Sequence, residues 1–226
     1  MVVAAPKPLA KKRQSAPKSN SIQPQMVQKS AGSPPLRKFS LDEYHHLVQT
    51  DFFQPDERIE LINGYLVMMS PLNPPHAAAT TLLGSQFYDL VAKQCTIRIQ
   101  QPIVLTGQTS EPEPDIVLAK PKLNAYARQH PQAADILLLV EVSDSTLCYA
   151  RTAKKRMYAL AVISEYWIMN LVDEKVEAYR DPSVSATGRA EYQTRLTYAH
   201  NQTITPLAFP DCSLDLSQVF PSQENE

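Results

Sequence analysis

Residues 134–146 read ADILLLVEVSDST, and no other stretch restricts the fold of this chain so strongly. Residues 135–142 are too apolar to leave either face in water, so they predict a central strand covered on both sides. Side chains alternate across a strand, which puts Leu137, Leu139, Glu141 and Ser143 on one face and Leu138, Val140 and Val142 on the other. Glu141 then falls near the C-terminal end of a buried strand. Taking a carboxylate out of water is costly unless a cation or a set of donors receives it. The rest of the chain has to supply that partner.

The flanking sequence supplies a sheet for this strand. Ser40 and Glu43 have capping-box spacing ahead of a short helix. Two β-rich runs in RIELINGYLVMMSP flank Asn63-Gly64, a strong hairpin signal. HAAATTLLGSQFYDLVAKQ reads as a helix with Ala79, Leu82, Leu83, Phe87 and Leu90 on its apolar side. TIRIQ, PIVLT and the end of EPEPDIVLA read as strands, and a helix is expected over residues 147–161. EYWIMNL, KVEAYR and AEYQTRLTYA come next as strands, the first two joined by a turn at Asp173-Glu174. This order predicts an α/β, or mixed α+β, domain built around one sheet.

Composition narrows the class. The chain has 226 residues, 43% hydrophobic and 20% charged, which suits one globular domain plus an added segment. Cys95, Cys148 and Cys212 are widely spaced and read as reduced thiols of a cytosolic protein. No apolar run reaches the roughly 18 residues of a membrane span, so a cytoplasmic location without a membrane partner is expected. None of the 5 glycines forms a phosphate-cradling loop, which argues against nucleotide-driven chemistry. Residues 1–38 carry 8 Lys and Arg and no acid, leaving 14 basic and 23 acidic residues, a balance of −9, for the rest. Residues 1–36 are expected to be a disordered basic leader, 37–220 the folded domain and 221–226 a loose end. A solubilising segment, an arm touching phosphates and a cleaved targeting peptide are the readings of the leader, and its prolines count against the last.

Several polar residues could share a site with Glu141. Asp115 opens its own strand after Pro114. Glu60 shares a strand face with Arg58 and, read alone, is a solvent-facing hairpin residue. On helical spacing Ala150, Ala153, Met157, Leu160 and Ala161 form a stripe with Lys154 at its edge, level with the end of the Glu141 strand. His76 begins a helix without another His or Cys at ligand spacing, so it reads as a support for a ligand, and zinc is disfavoured. Two or three carboxylates and a lysine suit a hard cation. Mg²⁺ takes oxygen ligands and needs only one or two carboxylates when substrate phosphates complete its shell. Mn²⁺ is expected to substitute.

RIELINGYLVMMSPLNPPH, EPEPDIVLA, LLLVEVSDST and KKRMYALAVISEYWIMNL resemble, in order and spacing, the signature blocks of the Uma-two family of restriction-endonuclease-like proteins in the PD-(D/E)xK nuclease superfamily. The likeness covers about residues 37–181, with a weaker tail to 220. It implies a restriction-endonuclease-like core, a central mixed sheet flanked by helices, and Mg²⁺-dependent phosphodiester cleavage leaving a 5′-phosphate. By motif, Asp115 and Glu141 match the metal-binding carboxylates, with the Val142 carbonyl as a third ligand, and Glu60 matches an additional acid. The superfamily's usual lysine position, two residues after the glutamate, is Ser143 here. Lys154, four residues before Tyr158, matches this family's helix-borne lysine. Ala150 stands where the family has an acid, and VISEYW replaces GIPEYW, so Val162 takes the place of a helix-ending glycine.

The expected activity is therefore a metal-dependent endonuclease, with Glu60, Asp115, Glu141 and Lys154 as the catalytic set and His76 and Ser143 in support. A catalytically silent nucleic-acid-binding relative and a protein-interaction domain are the alternatives. The expected partner is nucleic acid, DNA before RNA. A homodimer would serve cleavage of both strands of a duplex.

Overall fold

A computed structural model describes residues 36–221. The leader and the C-terminal end expected to be loose lie outside the described residues, apart from Leu36 and Pro221. Local chemistry sets the first elements. In α1 (Leu41–Gln49) the Glu43 amide donates to Ser40 Oγ at 3.1 Å and the Ser40 amide to Glu43 Oε2 at 2.9 Å, the reciprocal cap that the spacing predicts. β1 (Ile59–Ile62) and β2 (Tyr65–Met68) form the expected hairpin. Its two turn residues, Asn63 and Gly64, have φ of +51° and +82°, the left-handed pair that matches strand twist.

α2 (Pro74–Val91) starts at Asn73, whose side chain accepts the His76 amide, with prolines in its first turn where no N–H is needed. Ala79, Leu83, Phe87 and Val91 recur every fourth residue and are buried. Leu82, expected on this face, is exposed: one helical step, roughly 100°, turns it away from the Leu83 row.

Six strands form one mixed sheet in the order β3-β4-β5-β6-β7-β8. These are β3 (Thr96–Ile99), β4 (Ile116–Ala119), β5 (Ile136–Ser143), β6 (Glu165–Asn170), β7 (Lys175–Val184) and β8 (Ala190–Ala199). Only β5 and β6 run parallel, with Glu141 opposite Ile168. A parallel pair needs a crossover, and residues 147–160 provide it as helix. β5 lies inside the sheet, as its composition requires. Leu138, Val140 and Val142 join Ala79, Leu83 and Phe87 of α2 in one core, and Leu139 joins Met157 and Tyr158 in the other. Leu137 departs from strict alternation and packs on the α2 side. The β4–β5 register skips there, from Leu118↔Leu138 to Ala119↔Ile136, so Leu137 is a bulged residue.

PIVLT is not a strand. Val104 and Leu105 make only isolated bridges, to Gln132 and Ser110, before a single 3₁₀ turn over Thr106–Gln108. Ile103 and Leu105 are nevertheless buried, so their apolarity marks loop residues packed on the core. The remaining pair, β9 (Thr203–Ile204) and β10 (Leu214–Asp215), brings Ile204 and Leu214 onto the α2 side.

The crossover helix is not uniform. It comprises α3 (Leu147–Tyr149), a π-helical turn over Ala150–Lys154 and α4 (Lys155–Leu160). A π turn holds more residues than an α turn and re-aims the side chains after it. Ala153 and Leu160, expected on the apolar stripe, are exposed, whereas Lys154, Met157 and Tyr158 are buried. The helix ends at Val162, which takes φ +57° where the family pattern has glycine. A β-branched residue in that region is strained by about 1–2 kcal/mol, and Val162 is 60% exposed with little packing to lose. Val162→Gly is therefore expected to stabilise the fold by about 1 kcal/mol, after the entropy cost of glycine. Urea unfolding would check this; an unchanged or lower midpoint would contradict it.

Candidate active site

The C-terminal end of β5, the hairpin β1–β2 and the start of the crossover helix surround a cavity of about 410 Å³. Glu141 reaches it from β5 and is 6% exposed. Lys154 Nζ donates to its two oxygens at 3.0 and 3.1 Å, and Tyr158 Oη–H donates to Oε1 at 2.7 Å. The π turn carries Lys154 inward to this position, 7% exposed, beyond the stripe edge that regular helical spacing predicts.

Glu60 faces the same ammonium at 3.7 Å. It is not the solvent-facing hairpin residue that its strand alone suggests: only 3% of it is exposed. The segment leading into β4 covers it, and the Glu113 amide donates to Glu60 Oε2 at 3.2 Å. Arg58, two residues earlier and just before β1, holds Glu113 at 2.6 Å.

Asp115 stands immediately before β4. Its Oδ2 receives the Val142 amide at 2.9 Å and lies 3.2 Å from His76 Nε2, while Gln100 Nε2 is 3.4 Å from Oδ1. His76 Nε2 and Asp115 Oδ2 share a hydrogen bond. The expected supporting role of His76 thus has a geometry. Continuing the β4–β5 register from Ile116↔Val140 brings Pro114 opposite Val142. Proline has no N–H, so this neighbour donates nothing to the Val142 carbonyl. Ser143 lines the cavity beside Glu141, buried and too short to take the place of a lysine.

Burial, with Asp115 and Glu60 nearby, pushes the Glu141 carboxyl up to about 7, although Lys154 and Tyr158 pull it down. Burial lowers the Lys154 ammonium, but Glu141 and Glu60 more than offset this and hold it above its ordinary value. The two partners pull in different senses: the ammonium argues for an ionised Glu141, the desolvation against it. Lys154 stays charged across neutral pH, and Glu141 is the group whose charge is marginal. Tyr158 is pushed well above its usual range by burial and by Glu141, so it remains a donor. For His76, burial works downward most strongly, but the hydrogen bond and charge of Asp115, with the charge of Asp144, together outweigh it and raise the ring's pKa. Among the described residues no three His, Cys, Asp or Glu side chains form a ready-made metal cluster. Asp115, Glu141 and the Val142 carbonyl do, however, offer oxygen donors of the kind a hard divalent cation takes.

The sequence brought Glu60, Asp115, Glu141, Lys154 and His76 forward separately, and the fold joins them at one cavity. Tyr158 was missed. It served only as a landmark for Lys154, because helical spacing without the π turn leaves it off the buried stripe. A tyrosine four residues after a lysine, one turn along the same helix, was the available signal.

The fold gathers these carboxylates at one end of the sheet. It is similar to the solved structure described as "a putative nuclease belonging to DUF820" from Anabaena variabilis ATCC 29413, at a TM-score of 0.61 and 15% identity, over 80% of this chain and 97% of that one. A sequence model of the Uma2 family, described as "Putative restriction endonuclease", matches residues 41–217. The chain belongs to the Uma2 family, and the match runs through β8 to the C-terminal strands. No protein of curated function matches it. No helix among the described residues is long and apolar enough to cross a membrane.

The Glu141 carboxyl gives the fold a pH signature. Its proton is held up to about pH 7 when folded, against an ordinary value of 4.5. Its contribution to stability is complete below pH 4.5 and is lost as pH rises through about 7. Urea midpoints for the wild type are expected to fall across that window more steeply than those of Glu141→Gln. Parallel profiles would remove Glu141 as the source.

Proposed function

We propose that this protein is an endonuclease that hydrolyses nucleic-acid phosphodiester bonds with a divalent cation, Mg²⁺ or Mn²⁺. Asp115 and Glu141, with the Val142 carbonyl, would hold the ion. The observation that carries the reading is the convergence of Asp115, Glu141 and a buried, charged Lys154 on one cavity. The charge balance of that cavity supports it. Its lining has five carboxylates (Glu60, Glu113, Asp115, Glu141 and Asp144) against Arg58 and Lys154, a surface that repels a polyanion. A divalent cation on the carboxylates would offset most of this excess and give a phosphate a positive centre to bind.

Such an ion, when bound, acidifies a water and neutralises charge on the phosphodiester. The side chains do the positioning. The Val142 amide and His76 fix the oxygen of Asp115 that they share, leaving Oδ1 with only the longer Gln100 contact. Lys154 has three donors and keeps its proton, so it orients the attacking water and does not deprotonate it. Glu60 and Tyr158 hold the Lys154–Glu141 pair in place from either side.

The test uses purified protein with supercoiled plasmid, single-stranded DNA and RNA, in Mg²⁺ or Mn²⁺ and with a chelator. Cleavage is expected to require metal and to fall by about a hundredfold or more in Glu141→Gln and Asp115→Asn, the scale of losing a principal electrostatic contribution. Cleavage unchanged by either substitution would place the activity elsewhere. A folded protein that cleaves none of these substrates in either metal would overturn the proposal in favour of a silent nucleic-acid-binding relative.

A further inference from the structure

The hairpin wall of the cavity is divided strand by strand. β1 and the residue before it contribute Glu60 and Arg58, both charged. β2 and its continuation contribute Val67 and Met69, directly across from them: Glu60 pairs with Val67, and the Met69 amide donates to the Arg58 carbonyl at 2.8 Å. Beyond this wall the rim carries exposed apolar side chains beside polar ones such as Ser70 and Asn73. Met68 is 73% exposed and Leu72 42%, and both line the cavity. The half-buried Tyr149 also lines it, its ring centroid 5.9 Å from Lys154 Nζ. One cavity therefore has a buried carboxylate-and-lysine floor and, at its mouth, a thioether, a leucine and a phenol set among polar side chains such as Asn73 and Asp144.

We infer that this mouth is a platform for an unstacked nucleobase, and that the site takes single-stranded or locally unpaired nucleic acid, DNA or RNA. The inference rests on the phosphodiester-cleaving reading of the same cavity and narrows its substrate. A nucleotide is itself divided in this way, with a charged phosphate at one end and an apolar ring face at the other. In a duplex the ring faces are covered by neighbouring bases, and only base edges and phosphates reach a protein. Apolar side chains beside a phosphate site therefore gain contact only when a base leaves the stack. Sequence-tolerant binding of single strands uses such base contacts beside a backbone site. The cavity volume of about 410 Å³ lies toward the lower end of the range for ligand sites and is enough to admit a small ligand group.

The experiment measures binding of fluorescent oligonucleotides to the full-length protein in Ca²⁺, so that affinity is read apart from turnover, with cleavage in Mg²⁺ or Mn²⁺ as a second arm. The probes are single-stranded DNA, single-stranded RNA and the matching DNA duplex. The variant is Met68→Ser with Leu72→Ser, both at exposed positions, and Leu123→Ser, exposed on the β4–β5 connection, is the control. At least one single strand is expected to bind about tenfold or more tightly than the duplex. The double variant is expected to lose about tenfold on that strand, with an unchanged salt slope because phosphate contacts remain. The two single-stranded probes decide between DNA and RNA. Equal or tighter duplex binding, a double variant that binds single strands like the wild type, or no binding of any probe would overturn the platform. If the binding pattern holds but no metal-dependent cleavage occurs, the platform stands and the endonuclease reading fails. If a duplex is cleaved as readily as single strands and the variant has no effect, the reverse holds.

Discussion

The Glu141 carboxyl is held on a strand covered on both faces, and Lys154 and Tyr158 reach it from 13 and 17 residues further along the chain. Removing either donor would strand a charge or a lone pair in a low-dielectric interior, where an unpaired ion costs about 3–5 kcal/mol. That constraint ties the crossover helix to the end of β5. It also fixes the parallel β5–β6 pair, since the helix that carries Lys154 is the connection between these two strands. Glu60 then brings the hairpin to the same ammonium. Three separate parts of the chain thus meet at one charge.

Much of this arrangement was legible in the sequence, for identifiable reasons. A run as apolar as residues 135–142 has few places to go, and β5 is an interior strand. Asn63-Gly64 and Ser40…Glu43 act through local backbone chemistry, which tertiary packing does not alter. Where the reading failed, a non-local partner or an irregular turn decided the outcome. PIVLT has strand-like composition, but Val104 and Leu105 find only isolated bridges. Leu137 lost its expected face because a bulge shifted the phase by one residue.

The candidate site shows the same division. Glu141 could be picked out because a carboxylate inside so apolar a run is costly and so conspicuous, whereas Asp115, an ordinary residue for a strand entry after proline, was marked by the family motif. Glu60 looked like an ordinary outward-facing hairpin residue, since its cover arrives from more than fifty residues away. The buried placement of Lys154 and Tyr158 depends on a π turn, and a regular 3.6-residue period cannot anticipate it. Family resemblance pointed to the lysine that pairs with Glu141 without needing that geometry. Val162 shows the converse: the resemblance marked the missing glycine, and the backbone at that position is left-handed.

Pro114 has a consequence beyond the carbonyl it leaves alone. Antiparallel neighbours tend to zip together as far as their amides allow, and β4 and β5 run side by side toward the carboxylates. At Pro114 the zipper has a missing tooth. The Asp115 side chain takes the Val142 amide that a longer ladder would have used. Proline withholds one donor at this point, and the ladder ends where a side chain takes over from backbone pairing. The mouth of the site thus opens at a point in the sheet where the chain has one backbone donor fewer than any other residue would bring.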